Sequence, residues 1–324
     1  TTVESGDGLE GDIIEVLEGL QEADVEIQPD GSALLGPAPE IMMSSEFGEN
    51  LAEILPPSEL ARIYIDLVGS IEDDRSSRED WEKTYTDGLK YLGMRFDETR
   101  SEPFEGASGV IHPLLGEAVT QFQAQAYKEL LPAGGPVKTQ VVGAYDSTIE
   151  EQAQRVREFM NYQIVHVMEE YDEDLDQMLF YLPLAGSAFK KVYYDENLQR
   201  PVSKFIAPED LIVPYYTTDL ESCPRITHLI KMPENDVRKL QAIGFYKRTN
   251  LEPGEEPNSY SSLDTEKEKL EGIEPSAGSD EVCVLYEVHC NLDLEGFEDV
   301  DENGEETGVK LPYIVTIDST TENI

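Results

Sequence analysis

Leu60, Ile63, Leu67 and Ile71 recur every three or four residues, the spacing of one helix face. Pro56-Pro57-Ser58-Glu59 in front of them reads as a helix start, with Ser58 as N-cap. Trp81, Tyr85, Leu89 and Leu92 repeat the pattern, which stops near Gly93. Pro113 suits the first turn of a third helix, whose stripe is Leu115, Val119, Phe122, Ala126 and Leu130. Pro132-Ala133-Gly134-Gly135-Pro136 ends that helix, and Val141-Val142 reads as a short strand. The longest pattern covers 149–182. Val156, Phe159, Met160, Ile164, Val167, Met168 and Tyr171 form one stripe, and Leu175, Met178, Leu179 and Leu182 continue it beyond an acidic patch. It reads as one helix packed into a core.

From Gly186 the period falls to two. Ala188–Tyr194 and Val202–Ile206 read as strands joined by a turn at Asp195-Glu196-Asn197. Arg225–Met232 is a further strand, and Pro233-Glu234-Asn235-Asp236 opens a short helix through Leu240 and Ile243. Residues 250–281, rich in Glu, Pro, Ser and Gly, read as a mobile loop. Val282–Asn291 and Val309–Ile317 are two more strands, with a hairpin signal at Asn303-Gly304. Helices first and mostly antiparallel strands later make an α+β chain rather than an alternating βαβ one.

The first Lys or Arg is Arg62, so residues 1–52 are expected to be an extended acidic arm, with one short amphipathic helix at Ile13–Leu20. The expected regions are thus this arm, a helical region at 53–185 and an α/β region at 186–249. The acidic loop at 250–281 and a β-hairpin region at 282–324 follow. The whole chain has 324 residues, 24 basic against 68 acidic, and a formal net charge of -44. That length fits about two domains, and 39% hydrophobic residues suffice for a core. Such acidity repels DNA and anionic membranes and argues against a base-reading protein, which would carry a basic stripe. The odd cysteine count (Cys223, Cys283, Cys290) is no disulfide framework. With no secretory signal at its start and no apolar run near ~18 residues, the chain is expected to sit in a reducing interior and not in a membrane.

Candidate chemistry is sparse. The G-x-x-x-x-G-K-[ST] phosphate loop is absent, and Gly106-Ala107-Ser108-Gly109 lacks the Lys or Arg that would hold a nucleotide. His112, His166, His228 and His289 form no zinc pair at helical spacing. Cys283 and His289 share one strand face and Cys290 lies on the other, which reads as packing rather than ligation. Asp299-Val300-Asp301-Glu302-Asn303-Gly304 matches the first half of a calcium loop. The Glu needed at position twelve is replaced by Lys310, so Asp299, Asp301 and Asn303 are at most a weak surface site. No acid pair stands in an apolar setting that would split two pKa values, so neither a catalytic residue nor a cofactor is expected.

From about Asp80 to Ile317 the chain resembles the portal proteins of tailed bacteriophages, of the podovirus type. The likeness is carried by the order of several pieces. These are Asp80-Trp81 with Gly88-Leu89-Lys90-Tyr91-Leu92, Gly109-Val110-Ile111-His112-Pro113, and Phe159-Met160-Asn161-Tyr162. Next come Gly186-Ser187-Ala188-Phe189-Lys190-Lys191-Val192 and Ile206-Ala207-Pro208-Glu209-Asp210-Leu211, and last the Arg225-Ile226-Thr227-His228 strand with its following helix. The resemblance implies a homo-oligomeric ring, usually of twelve subunits, at one capsid vertex of the virion and assembled in the host cytoplasm. Double-stranded DNA passes through such a ring during packaging and ejection, and terminase, capsid and tail adaptor proteins dock on it. The ring itself is no enzyme. Portal subunits are longer than this chain, and nothing here matches their stem helices or channel loop, so a piece of such a subunit is expected.

An acidic wall would let DNA slide, whereas a basic one would grip it by counterion release. Lys190, Lys191, Lys204, Arg238, Lys239, Lys247 and Arg248 are the clustered cations; the first five are candidates for DNA contact, and some of the clusters are expected to pair with acids of a neighbouring subunit instead. The competing expectation is an acidic scaffold or adaptor that binds a basic partner through residues 1–52.

Overall fold

The computed structural model describes residues 25–27, 33–35, 50–92, 104, 112–143, 146–195, 198–250, 263, 266–267, 270, 282–301, 305–319 and 324. The chain divides into two units, 1–49 with 292–311, and 50–291 with 312–324. In the first, β1 (Val25–Ile27) pairs antiparallel with β2 (Ala33–Leu35) inside the stretch read as an extended arm. An isolated antiparallel bridge joins Val300 to Glu306. The expected helix at 13–20 and the hairpin turn at Asn303-Gly304 lie outside the described residues.

The second unit is α+β, as its pattern implied. A 3-10 turn at Leu51–Glu53 precedes α1 (Pro57–Ser77), which buries Leu60, Ile63, Leu67, Ile71 and Asp74 along one face. Ser58 is not its cap. Pro56 holds that place with ψ 148° and no side-chain hydrogen bond. Pro57 enters at the first helical position, where its fixed φ suits the helix and its missing N–H has no intrahelical acceptor to lose. α2 (Glu79–Leu92) buries Tyr85 and Leu89. α3 (Leu114–Leu130) follows Pro113, but only Val119 of its expected stripe is fully buried. No strand forms at Val141-Val142, and Val142 stands in solvent.

The expected single helix over 149–182 is broken. α4 (Ser147–Tyr162) runs into a π turn at Gln163–Val167, and α5 (Tyr171–Ala185) starts afresh. The break has a use. It places Glu170 and Asp174 beside β4 (Arg200–Ile206), where they accept the backbone N–H groups of Ser203 at 3.0 Å and Phe205 at 2.7 Å. One helical turn rises about 5.4 Å and two strand residues about 6.8 Å, so carboxylates four apart on a helix can cap N–H groups two apart on a strand. Gly186 ends α5 at φ 83°, a conformation that a Cβ would strain, and its N–H reaches Leu182 O at 2.9 Å.

β3 (Phe189–Asp195) pairs antiparallel with β4, with Lys191 opposite Lys204. The other sheet has the order β5-β6-β7-β8, formed by β5 (Leu211–Ile212), β6 (Arg225–Pro233), β7 (Val282–Leu292) and β8 (Leu311–Asp318). α6 (Glu234–Ala242) packs Val237 against Cys283 and Leu285. All three cysteines are free. Burial pushes the Cys290 thiol up to about 11, against the opposing effect of Arg225, so it is a poor nucleophile at neutral pH.

A second core gathers Tyr85, Leu89, Tyr181, Ala185 and Leu263. Leu263 comes from the stretch read as a mobile loop, and residues 263, 266–267 and 270 are helical. Lys267 from the same stretch donates to Glu209 at 2.7 Å and lies 4.9 Å from the Tyr181 ring centroid. The Tyr85 hydroxyl is buried in this core without a hydrogen-bond partner, and burial, aided by Glu209, holds its pKa far above the ordinary phenol value. Tyr85→Phe removes only that orphaned group. It is expected to leave stability unchanged or raise it by up to about 1 kcal/mol. A urea midpoint lowered by the equivalent of more than about 1 kcal/mol would show that the hydroxyl is satisfied.

Candidate functional site: an uncovered helix face and a charged clamp

α4 is the element whose sequence and surroundings disagree. Its periodic apolar side chains were expected to fill a core, yet none of its residues is buried. Ile149, Val156, Phe159, Met160 and Tyr162 stand exposed, Phe159 by 62%, and Val165 continues them onto the π turn. α3 adds exposed Phe122 and Leu130. The helix is secured on another face. Asn161 accepts Val137 N–H at 2.9 Å and donates to Val137 O at 3.2 Å, while Thr139 donates to Ala153 O at 3.1 Å. Gly135, at φ 87°, makes that approach possible, because a Cβ there would fall 2.4 Å from the Asn161 side chain. One side of α4 is therefore anchored by polar contacts and another is left apolar and wet. Monomeric soluble proteins seldom leave large contiguous apolar surface open, and such surface commonly marks an interface.

The clustered cations have varied settings. Lys190 is half-buried, but its ammonium is buried with no hydrogen-bond partner and lies 3.8 Å from the Tyr171 ring centroid. Burial lowers its pKa, and Asp174 and Glu170 oppose that. Lys191 pairs with Glu287 of β7. Arg238 pairs with Glu234, and Lys239 with Asp236 at 2.7 Å, on the exposed side of α6. Lys204 is exposed, 6.0 Å from the Tyr193 ring centroid. These five candidates therefore form no single basic surface. Lys191, Arg238 and Lys239 meet acids of their own chain, the kind of partner that sequence reasoning had sought in a neighbouring subunit.

The Lys191–Glu287 contact belongs to a clamp between the two sheets. Glu287 also meets His289 Nε2 at 2.9 Å, and His228 is its register partner on β6. Burial works against the charge on Glu287, but His289 and Lys191 outweigh it and bring its pKa down to about 2. Burial, with help from the Lys191 charge, lowers His228 to about 4, and its Nδ1 is buried without a partner. Sequence reasoning passed over Glu287. Its signal was alternation, which puts Cys283, Leu285, Glu287 and His289 on one strand face and leaves an acid there in need of a cation.

The remaining sites offer little chemistry. Asp299 accepts Thr307 Oγ1 at 2.6 Å and Asp301 accepts Glu305 N–H at 3.0 Å, so both candidate calcium ligands brace their own loop. Asn303 lies outside the described residues, and among those described no group of three His, Cys, Asp or Glu could hold a metal. A shallow groove of about 450 Å³, lined by Leu92, Pro113, Gly116, Glu117, Thr120 and Gln121, presents one carboxylate. No helix among the described residues is long and apolar enough to cross a membrane. Comparison of the chain with protein-family models and with curated protein sequences finds no match.

Proposed function

We propose that the chain is a structural subunit of an oligomeric ring of the portal type. Such a ring passes double-stranded DNA and docks the packaging motor, capsid and tail adaptor proteins, and hydrolyses nothing itself. The observation that carries the assembly part is α4, which presents Ile149, Val156, Phe159 and Met160 to solvent and buries none of its residues. A neighbouring copy would supply the apolar cover that the described residues lack. The conduit part rests on the sequence resemblance and on the net charge of -44, which suits a wall that DNA slides past.

Negative-stain imaging and light scattering of the chain test this reading. Rings with a central hole are the expected result, and Phe159→Glu is expected to lower the assembled fraction at least tenfold by placing a charge in the interface. Compact monomers at every concentration would sink it and favour an acidic adaptor that binds a basic partner through residues 1–52.

A further inference from the structure

The connection between β5 and β6 gathers exposed side chains. Tyr215 and Tyr216 are 74% and 75% exposed, and Leu220 stands in solvent close by in sequence. Asp219 and Glu221, on either side of Leu220, are exposed as well. No Lys or Arg lies between Lys204 and Arg225. The connection is braced by its own hydrogen bonds. Thr217 N–H donates to Pro214 O at 2.9 Å and Cys223 N–H to Leu220 O at 3.3 Å, while Cys223 Sγ donates to Arg225 O at 2.8 Å. A braced loop loses little freedom when it is covered, so its tyrosines are suited to binding. Tyrosine is enriched in protein interfaces because it pairs a large apolar body with a polar tip.

The uncovered face of α4 has the converse charge. Arg155 and Arg157 stand on either side of Val156 in sequence, and both are exposed. At about 100° per residue they flank the line of Val156 on the helix surface. Glu150, Glu151 and Glu158 lie further round, and Glu158 accepts Gln154 Nε2 at 2.8 Å. Neither arginine pairs with an acid among the described residues, in a chain with 68 acids for 24 cations. An apolar stripe between two such arginines suits a partner surface that is both aromatic and acidic.

We propose that the β5–β6 connection of one copy docks on the α4 face of the next. Tyr215, Tyr216 and Leu220 cover Val156, Phe159 and Met160, while Asp219 and Glu221 meet Arg155 and Arg157. This rests on the homo-oligomer reading above and names the surface that covers α4. Charge selects this surface among the exposed apolar ones. Ile243 and Phe245 are followed by Lys247 and Arg248, and Val309 by Lys310, so each would set like charge against the arginines. Ile65 is the single large apolar side chain exposed on α1. The β5–β6 connection joins three exposed apolar side chains to two acids and no cation. The two surfaces differ, so the contact is head to tail, the kind that generates a closed ring when the rotation allows.

Three altered chains test this docking. One carries Arg155→Glu with Arg157→Glu, the second Asp219→Asn with Glu221→Lys, and the third Tyr216→Ala. Asp219→Asn keeps the side-chain oxygen that accepts Glu221 N–H at 3.3 Å, and Tyr216→Ala alters no charge. All five side chains are exposed, so the urea midpoints are expected to match that of the parent. The assembled fraction, read by light scattering, is expected to fall about tenfold or more in each chain. Mixing the first two in equal amounts is expected to restore it. The new glutamates on α4 of one chain then meet the new lysine of the other, and the unaltered arginines meet unaltered acids. Assembly left intact by the second and third chains, or no recovery on mixing, would overturn the docking and leave the oligomer reading standing. A parent chain that is monomeric at every concentration would overturn both.

Discussion

Replacing Asp74 by alanine is expected to destabilise the second unit by about 3–5 kcal/mol. Asp74 lies on α1 with its carboxylate almost fully buried, and Arg225 at the start of β6 donates to the same oxygen through Nε at 2.9 Å and Nη2 at 2.5 Å. Arg225 also reaches Ser70 O at 3.4 Å. The pair spans 151 residues of sequence and fastens a helix to the sheet. Removing one member leaves a largely desolvated charge with nothing to compensate it, which costs far more than the intact pair contributes. Arg225→Ala is expected to cost a similar amount, while Asp74→Leu with Arg225→Met is expected to recover most of the loss. Urea unfolding of the four chains, read by tryptophan fluorescence from Trp81, checks this. A single-variant loss below about 1 kcal/mol would mean that water reaches the pair.

Acid is expected to weaken the fold in two stages through the clamp between the sheets. His228 is held at about 4 in the folded chain against an ordinary 6.5. The unfolded chain therefore binds the extra proton first, and stability falls as pH drops from about 6.5 to 4 and levels off below. Glu287 is held at about 2 against 4.5, so its contribution is full above 4.5 and is lost as pH falls towards 2. Each shift corresponds to roughly 1–3 kcal/mol once solvent screening at these partly buried groups is allowed for. Acidification also relieves the self-repulsion of a chain at -44, which acts in the opposite direction. The measurement is accordingly a difference between chains. Stability against pH for His228→Asn is expected to lose the upper stage, and for Glu287→Gln the lower one. Parallel curves for variant and parent through either window would contradict that assignment.

Both predictions rest on contacts far apart in sequence, and there the sequence and the tertiary structure part company. The α+β order, the faces of α1 and α2, the β3–β4 hairpin and the strands β6, β7 and β8 could be read from periodicity. Burial of Leu60, Ile63, Leu67 and Ile71 follows from spacing on a helix, and Pro57 marks its start. The same reasoning erred at 149–182, where periodicity says that a face is apolar but not that anything lies against it. α4 has the face and no cover among the described residues, and a π turn separates it from α5, whose stripe does reach the core at Leu175 and Leu179. Leu263 shows the converse. It is an apolar residue in a polar stretch with no usable period, buried because α2 and α5 leave room for it.

The charged contacts were the least legible. In a chain with 68 acidic residues, composition cannot say which carboxylates will find the 24 cations. Glu170 and Asp174 became strand caps, Asp74 a buried anchor and Glu287 a clamp only when folding brought backbone N–H groups, Arg225 and Lys191 within hydrogen-bonding distance. By itself the sequence determined the local elements and their apolar faces, because both depend on neighbours a few residues away. The tertiary structure alone decided which of those faces is covered and which acid meets which cation, because those outcomes depend on what distant segments bring to the same place.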